Sequence, residues 1–320
     1  MFEEIDKETI ELFQELSDGQ ETDPILKMDV SKSFLFLPKF ICPNLVGEDF
    51  GLIRQSTLLM MVTQRDTAQS RMRLHELFVG LPGSGKTAFM LDWNEHFDGV
   101  FINGEHASKA GLCGDARGKG TPGLLTTFNG QTVLIDELDK MAPKDMNGLL
   151  QAMGEGQYTV LKGKIHETYP AEIRAIASAN EVSKIQRPLI DRFDFIYYLD
   201  TPARKERADT IPKIVDNFFG EVDRKKTKTV ELYLKWIEDF KPEVVKEDLK
   251  TIYKFLQTYI TDTHTDIDKI SRRNLEYSIL RISYSLAKLE RKNITKDHMK
   301  QAILFKDKIL STYKMGYGTK

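Results

Sequence analysis

A glycine-rich octapeptide that directly follows a short apolar run is the feature that most constrains the fold of this chain. Residues 80–87 read Gly-Leu-Pro-Gly-Ser-Gly-Lys-Thr, and residues 74–79 before them read Leu-His-Glu-Leu-Phe-Val, which is typical of a buried strand. A strand, this loop and a helix in succession match the G-x-x-x-x-G-K-[ST] phosphate loop. The glycines let consecutive backbone N–H groups turn towards a phosphate, and the following helix adds the positive end of its dipole. The alternative is a glycine-rich turn that only caps a structural helix, and the strand before it disfavours that interpretation.

The loop predicts a site for ATP with Mg²⁺. Lys86 would reach the β- and γ-phosphates, and Thr87 would place its hydroxyl on the metal ion. The residues predicted to bind ATP here are Gly80, Leu81, Pro82, Gly83, Ser84, Gly85, Lys86 and Thr87.

Two carboxylates end a second apolar run, because residues 133–137 read Val-Leu-Ile-Asp-Glu. In a parallel sheet the carboxyl end of such a strand lies at the nucleotide crevice. We expect Asp136 to bind the nucleotide and, with Thr87, to hold the Mg²⁺ shell, usually through water. Glu137 would activate the attacking water.

Two further polar residues lie at the ends of predicted strands. Asn180 could donate to the γ-phosphate and orient the attacking water, or could simply be a turn asparagine. Arg192 precedes the last strand, so it could reach the γ-phosphate of a neighbouring subunit as an arginine finger. The alternative for Arg192 is a local ion pair with Asp191 or Asp194.

Strand-like runs alternate with helical patterns over the first two thirds of the chain, which predicts a doubly wound α/β fold with a parallel sheet. The predicted strands are 74–79, 99–103, 132–138, 173–179 and 193–199. From about residue 203 the pattern is helical, with amphipathic segments at 229–239, 246–260, 271–290 and 295–310, and another helix is predicted at 3–16. We therefore expect a lead segment (1–40), a nucleotide-binding domain (41–203) and a helical lid (204–320).

Two segments interrupt this pattern. Residues 104–130 contain seven glycines and predict a flexible surface loop with little helix. Residues 157–170 predict a β-hairpin with Lys162 and Lys164 at its tip. These lysines could contact a DNA backbone, or the hairpin could be a solvated one that only packs on its neighbour.

Composition excludes several other classes of protein. The 320 residues carry a net charge of −2, so any nucleic-acid contact must come from a local patch. Cys42 and Cys113 have no C-x-x-C spacing, which argues against a zinc site or a disulfide framework and favours reduced thiols. No charged-then-apolar leader opens the chain and no apolar run approaches 18 residues, so we expect a cytoplasmic protein without membrane contact.

Five segments together resemble one family. Residues 41–49 are similar to its entry segment, and Val-Leu-Ile-Asp-Glu-Leu-Asp-Lys-Met at 133–141 closely matches its Walker B signature. Asn180 takes the sensor-1 position, residues 189–194 resemble the arginine-finger segment, and residues 273–276 resemble the sensor-2 segment. Over about residues 25–310 the chain resembles the AAA+ motor domain of the minichromosome maintenance (MCM) replicative helicases.

The resemblance implies an ATPase that drives a DNA helicase in DNA replication. It also implies assembly as a homo-oligomeric ring, which we expect to be a hexamer. It implies that Lys86, Thr87, Asp136, Glu137 and Asn180 act within one subunit. Arg192 and Arg273 would act from its neighbour. The two arginines at 272 and 273 would lie in the first turn of a helix, against its dipole, which suggests a bound anion or else solvated surface charge. DNA would pass the Lys162–Lys164 hairpin, and a separate protein could recruit the motor.

The chain also departs from the family pattern. The family usually has alanine before the loop lysine and serine after it, has a longer segment between the Walker motifs, and has a zinc-bearing DNA-binding domain before the motor. Asp191 stands where the family has serine, a form that also resembles MoxR-like AAA+ ATPases. The alternatives are therefore a MoxR-like ATPase that remodels a protein partner and a nucleotide-switched assembly module with little turnover.

Overall fold

The structure is a computed structural model, which describes residues 30–47, 49–63, 66, 70–115, 121–162, 165–200, 204–220, 224–262 and 270–317. The chain divides into two compact units. One consists of Thr63–Thr201, Asp268–Ser278 and Ile309–Lys320, and the other of Met1–Val62, Pro202–Ile267 and Ile279–Lys308. The domain boundaries predicted at residues 40 and 203 stay predictions.

The first unit contains a parallel sheet. In chain order, the described strands are β1 (Glu76–Gly80), β2 (Val100–Asn103), β3 (Gly114–Asp115), β4 (Thr121–Pro122), β5 (Thr132–Asp136), β6 (Gln157–Lys162), β7 (Ile165–Pro170), β8 (Arg174–Ala179) and β9 (Phe195–Leu199). Five of them form one sheet in the order β2-β5-β8-β1-β9, and every neighbouring pair is parallel. This confirms the α/β class and the parallel sheet.

The helices, in chain order, are α1 (Ser33–Phe36), α2 (Asp49–Val62), α3 (Lys86–Phe97), α4 (Lys109–Cys113), α5 (Leu124–Thr127), α6 (Pro143–Glu155), α7 (Arg187–Ile190), α8 (Arg204–Phe219), α9 (Arg224–Ile237), α10 (Leu249–Asp262), α11 (Glu276–Leu289) and α12 (Lys296–Tyr317). None of the described helices is both long and apolar enough to cross a membrane.

The central strands are apolar because side chains on both faces of the sheet are covered. All five residues of β5 are buried, and so are five of the six residues of β8. Parallel strands buried on both faces read as continuous apolar runs, which is why the sequence revealed them. Pairing of Val79 with Ala179 and of Leu134 with Ile176 sets the register of β1, β8 and β5. Their carboxyl ends therefore meet at one edge of the sheet.

The five predicted strands are confirmed within two residues at each end. The predicted helices of the last third are also present, but their ends differ by up to seven residues, as for α12, which continues to Tyr317. The predicted helix at 3–16 lies outside the described residues.

The prediction of a surface loop with little helix at 104–130 is wrong for its described part, and the predicted flexibility stays a prediction. Helices α4 and α5 occupy it, and the side chains of Leu112, Cys113 and Leu125 are buried in the core of the sheet unit. Ser108 caps α4, because its side-chain oxygen accepts a hydrogen bond from the Gly111 N–H. The many glycines led to the prediction of a loop, because glycine disfavours helix. Residues 116–120 lie outside the described part.

The predicted hairpin is confirmed, since β6 and β7 pair antiparallel from Gln157 opposite Pro170 to Lys162 opposite Ile165. The predicted DNA contacts, however, lie outside what is described. Lys164 is not among the described residues, and of Lys162 only the backbone is.

Candidate nucleotide-binding site

The phosphate loop connects β1 to α3, as its sequence requires. Gly83 and Gly85 have φ of 84° and 90°, in the left-handed region that residues with a Cβ rarely adopt. Gly80 lies against the backbone of β9, where a Cβ would overlap the carbonyl oxygen of Leu199. These glycines therefore let the backbone of the loop turn in left-handed conformations and pass close to its neighbours.

Lys86 is folded over its own loop. Its Nζ donates to the carbonyl oxygens of Gly80 and Leu81 at 2.6 and 3.0 Å and to Ser84 Oγ at 3.3 Å. Burial lowers the pKa of the Lys86 ammonium, and the nearby Asp136 and Asp139 carboxylates oppose that effect. The loop thus holds a buried cation in the place where the motif predicts phosphates.

Asp136, at the end of β5, lies against the first turn of α3. Thr87 Oγ1 is 3.1 Å from both carboxylate oxygens of Asp136, and Ser178 Oγ on β8 also donates to that carboxylate. A buried carboxylate beside a hydroxyl offers the hard oxygen ligands that Mg²⁺ prefers. The residues present therefore fit the metal ion that the loop motif implies.

Glu137 has a backbone conformation that is uncommon for its residue type. Its φ is 56°, in the left-handed region, and its N–H donates to Ser178 Oγ at 3.0 Å. Gly104 lies behind it, where a Cβ would come within 2.5 Å of the Glu137 carbonyl oxygen. Such conformations persist only where neighbours fix them, and they concentrate at functional sites. The turn directs the chain so that two adjacent carboxylates, Asp136 and Glu137, have different surroundings.

The Glu137 carboxylate forms an ion pair with Lys140, one turn further along the chain. Lys140 Nζ lies 2.7 Å from Glu137 Oε1 and 3.8 Å from Glu105 Oε2. The Lys140 hydrogen bond lowers the pKa of Glu137 against a smaller opposing effect of desolvation, and the Asn103 side chain and the charge of His106 contribute in the same direction. The hydrogen bond to Glu137 likewise raises the pKa of Lys140. These contacts therefore favour the carboxylate form of Glu137.

Asn180 follows β8 directly, at the same sheet edge as the loop. Among the described residues, none forms a hydrogen bond with its amide side chain, which is half-buried. The next residue is fixed, because the Glu181 N–H donates to Asp139 Oδ2 at 3.1 Å. Asn180 thus has an anchored backbone and an amide group that is available to a ligand.

The structure contradicts the local ion pair considered for Arg192. Asp194 pairs with Arg71 at 3.0 Å, and within the described part of the chain neither Asp191 nor Asp194 forms a salt bridge with Arg192. The Arg192 guanidinium instead lies over Gly154 of α6, where a Cβ would come within 3.0 Å of it. Its Nε is buried and has no hydrogen-bond partner among the described residues.

Comparison with known proteins decides the family. Residues 22–218, more than half of the chain, match the family model described as the MCM P-loop domain. The chain belongs to this family. Four of the five segments that suggested it, including the Asp-Glu pair and the segment around Arg192, lie within the matched range, and the sensor-2 segment at 273–276 lies beyond it.

Curated MCM proteins match the chain at low identity. "DNA replication licensing factor mcm6" of Dictyostelium discoideum is 25% identical over 90% of this chain and 37% of its own length. An uncharacterised MCM-type protein of Methanocaldococcus jannaschii is 26% identical over 77% of this chain and 38% of its own. "DNA replication licensing factor mcm5-B" of Xenopus laevis is 26% identical over 67% of this chain and 34% of its own length. The chain thus spans less than two fifths of the length of these MCM relatives.

Arg273, the predicted sensor-2 residue of this MCM domain, lies in the turn before α11 and is half-buried. Ser271 accepts a hydrogen bond from the Asn274 N–H at 3.4 Å, but α11 begins only at Glu276, so Arg272 and Arg273 precede the helix and do not lie in its first turn as predicted. The roles of Arg192 and Arg273 at a neighbouring subunit stay predictions.

Three site residues had no role assigned from the sequence. Ser178 links Asp136 to the Glu137 backbone. It lies two residues before Asn180, and side chains two apart along a strand point to the same face of the sheet, so the sequence spacing could have indicated it. Lys140 was part of the Walker B resemblance, and its spacing of three from Glu137 permits a local ion pair. Asn103 ends β2 opposite Asp136, a pairing that only the strand order reveals.

Proposed function

We propose that the chain is the ATP-hydrolysing motor of an MCM-type DNA helicase. It would bind ATP with Mg²⁺, assemble as a homo-oligomeric, hexameric ring, and translocate on DNA. One observation carries this proposal beyond family membership. The loop lysine, the Thr87–Asp136 pair and the ionised Glu137 converge at one edge of the sheet.

Each side chain has a definite task in this proposal. Thr87 and Asp136 hold Mg²⁺, which when bound offsets negative charge on the phosphates. Lys86 releases its loop carbonyls and turns to the phosphates. Glu137 takes a proton from the attacking water, and Asn180 orients that water by donating a hydrogen bond. Arg192 and Arg273 of a neighbouring subunit stabilise charge that develops on the γ-phosphate.

The DNA part of the proposal is supported by the family and by the hairpin of β6 and β7. Its tip sequence, Lys162-Gly163-Lys164, carries two positive charges. In a ring, several copies would surround a phosphate backbone, and binding would follow counterion release rather than base recognition.

The decisive experiment measures steady-state ATPase activity with and without single-stranded DNA, together with the mass of the protein in a non-hydrolysable ATP analogue. The proposal expects hydrolysis, stimulation by DNA and a ring-sized mass. Glu137→Gln should keep nucleotide affinity and lose on the order of 10²- to 10⁴-fold in turnover, since an amide cannot serve as the base.

Other outcomes would favour the alternatives. Stimulation by a polypeptide but not by DNA would indicate a protein remodeller. Tight ATP binding with negligible turnover would indicate a nucleotide-switched assembly module. Wild-type turnover in Glu137→Gln would contradict the mechanism itself.

A further inference from the structure

Helix α8 has an apolar face that no described residue covers. Five large apolar side chains recur along it at helical spacing and are between 46% and 81% exposed: Ile211, Ile214, Val215, Phe218 and Phe219. We call them the α8 apolar face. No residue of this helix is buried, and the rings of Phe218 and Phe219 contact each other edge to face, 5.0 Å apart.

This face needs a partner for physical reasons. A helix of 16 residues is marginal in water without tertiary packing, and Pro212 within it removes one backbone hydrogen bond. Two phenylalanines exposed by four fifths add a large unfavourable contact with water. A contiguous apolar patch of this kind marks a binding surface rather than an ordinary solvated helix.

The chain itself contains a segment with complementary properties. Residues 1–29 lie outside the described residues, and their sequence has ten acidic and two basic side chains, a net charge of −8. If residues 2–16 are wound as a helix, Phe2, Ile5, Leu12, Phe13 and Leu16 share a stripe about 100° wide. The apolar stripe and the acidic side chains together are typical of an amphipathic helix that would pack on an apolar surface with basic surroundings.

The charge around α8 fits this segment. Residues 204–228 contain eight basic and five acidic side chains, a net charge of +3. An acidic helix on the α8 apolar face would therefore be attracted by the net positive charge of this stretch of sequence, in addition to its apolar contacts.

Residues 2–16 are also connected to the chain close enough to reach the α8 apolar face. The Asn217 side chain of α8 donates to the Asn44 carbonyl oxygen, and Thr227 Oγ1 of α9 donates to the Phe40 carbonyl oxygen at 3.4 Å. Both contacts join this region to the stretch that begins at Val30, within one compact unit. Residues 17–29 between can extend over about 45 Å. A tethered segment needs little intrinsic affinity, because its effective concentration is high.

We propose that residues 2–16 of this chain dock as an amphipathic helix on the α8 apolar face. The contact is intramolecular and does not depend on nucleotide. It goes beyond the proposed ATPase function, and neither inference requires the other.

The test combines hydrogen exchange with a binding measurement. In the full chain, exchange of amides 204–219 should be slower than in a variant that lacks residues 2–22, at equal and low protein concentration. A synthetic peptide of residues 1–20 should bind the shortened variant, and its affinity should fall with added salt. Phe218→Ser combined with Phe219→Ser should weaken peptide binding at least tenfold. Leu304→Ser, which changes a side chain 61% exposed on α12, is the matched control and should leave binding unchanged.

Three results would overturn the proposal. The first is equal exchange of α8 in the full and shortened chains. The second is peptide binding that the double serine variant leaves unchanged. The third is protection of α8 that rises with protein concentration, which would assign the face to a second copy of the chain. Should the shortened variant fail to fold, the double serine variant of the full chain gives the answer, because amides 2–16 should exchange faster in it than in Leu304→Ser.

Discussion

At the scale of single residues, the two adjacent carboxylates at the end of β5, Asp136 and Glu137, have different environments. Asp136 is buried and accepts hydrogen bonds from two hydroxyls, whereas Glu137 is partly exposed and paired with a lysine. The left-handed backbone of Glu137 causes this difference, because it turns the second carboxylate away from the direction of the strand. One strand end thereby provides the two carboxylates to which the proposal assigns the tasks of metal ligand and base.

Replacing Lys140 should change the pH dependence of hydrolysis. Its ammonium lowers the pKa of Glu137, so the base stays ionised as the pH falls. In Lys140→Met that pKa rises towards its ordinary value, and the acid limb of kcat against pH should move to higher pH. Steady-state turnover measured across the acid range tests this.

Lys144→Met is the matched control, because Lys144 is an exposed lysine of the following helix, α6. Its profile should coincide with that of the unmodified protein. An acid limb that stays in place in Lys140→Met would mean that this ion pair does not set the ionisation of the base.

At the scale of elements, the segment between the Walker motifs is held by close packing of α4 against α6. The Cys113 sulfur lies directly over Gly148, and a Cβ there would overlap it. Burial raises the pKa of the Cys113 thiol to about 11, so the sulfur acts as an apolar packing group. Gly148 of α6 is therefore required by the close approach of Cys113 and not by its own backbone conformation.

Gly148→Ala should destabilise the protein by about 1–3 kcal/mol through this overlap, although alanine favours helix. Combined with Cys113→Ala, the loss should be smaller than the sum of the two single effects, since the overlapping atom is gone. Denaturant unfolding measures both.

Gly51→Ala in α2 is the control, because a Cβ there meets nothing within 4 Å and should stabilise the helix by about 0.5–1 kcal/mol. Equal effects of Gly148→Ala and Gly51→Ala would refute the packing explanation.

The hairpin of β6 and β7 is the element proposed to contact DNA. With both Lys162 and Lys164 changed to alanine, DNA-stimulated ATPase should be lost while basal ATPase and assembly remain. DNA affinity should also depend less on salt, since each lost phosphate contact lowers the slope by about 0.7 on single strands. The change of Lys184 and Lys205 to alanine, two lysines outside the hairpin, removes the same charge and serves as the control. Unchanged affinity and salt slope in the hairpin variant would exclude the hairpin as the DNA contact.

At the scale of the whole molecule, Arg192 is half-buried, and its Nε atom has no hydrogen-bond partner in the described part of its own chain. This is expected of a group that completes the site of a neighbouring subunit. Arg192→Ala should then bind ATP normally and lose on the order of 10³-fold in hydrolysis.

Mixing inactive subunits separates an action between subunits from one within a subunit. In rings that contain both Arg192→Ala and Lys86→Ala subunits, some interfaces combine an intact loop with an intact arginine, so ATPase activity should partly return. Rings of Lys86→Ala alone should stay inactive. No recovery in mixed rings verified by mass would argue against a role across the interface.

The sequence predicted what depends on local order along the chain. The loop glycines, the apolar run of β5 and the Asp-Glu pair follow from neighbouring residues, and so did the fold class. It could not predict contacts between distant strands, such as Ser178 bridging Asp136 and Glu137. Short helices also escaped, because α4 has only five residues and its buried Leu112 and Cys113 lie among glycines. Tertiary packing, rather than helix propensity, specifies elements of that length.

The three hydrogen bonds of the Lys86 ammonium give nucleotide binding the character of an exchange. In the proposed site, an arriving phosphate would displace carbonyl and hydroxyl oxygens that already satisfy this cation, so the heat released would reflect only the difference between two sets of contacts. The same bonds cross-link the loop from Gly80 to Ser84 and so constrain its shape. In the proposed ATPase cycle, a subunit that releases its product would then receive the next nucleotide without first rebuilding its loop.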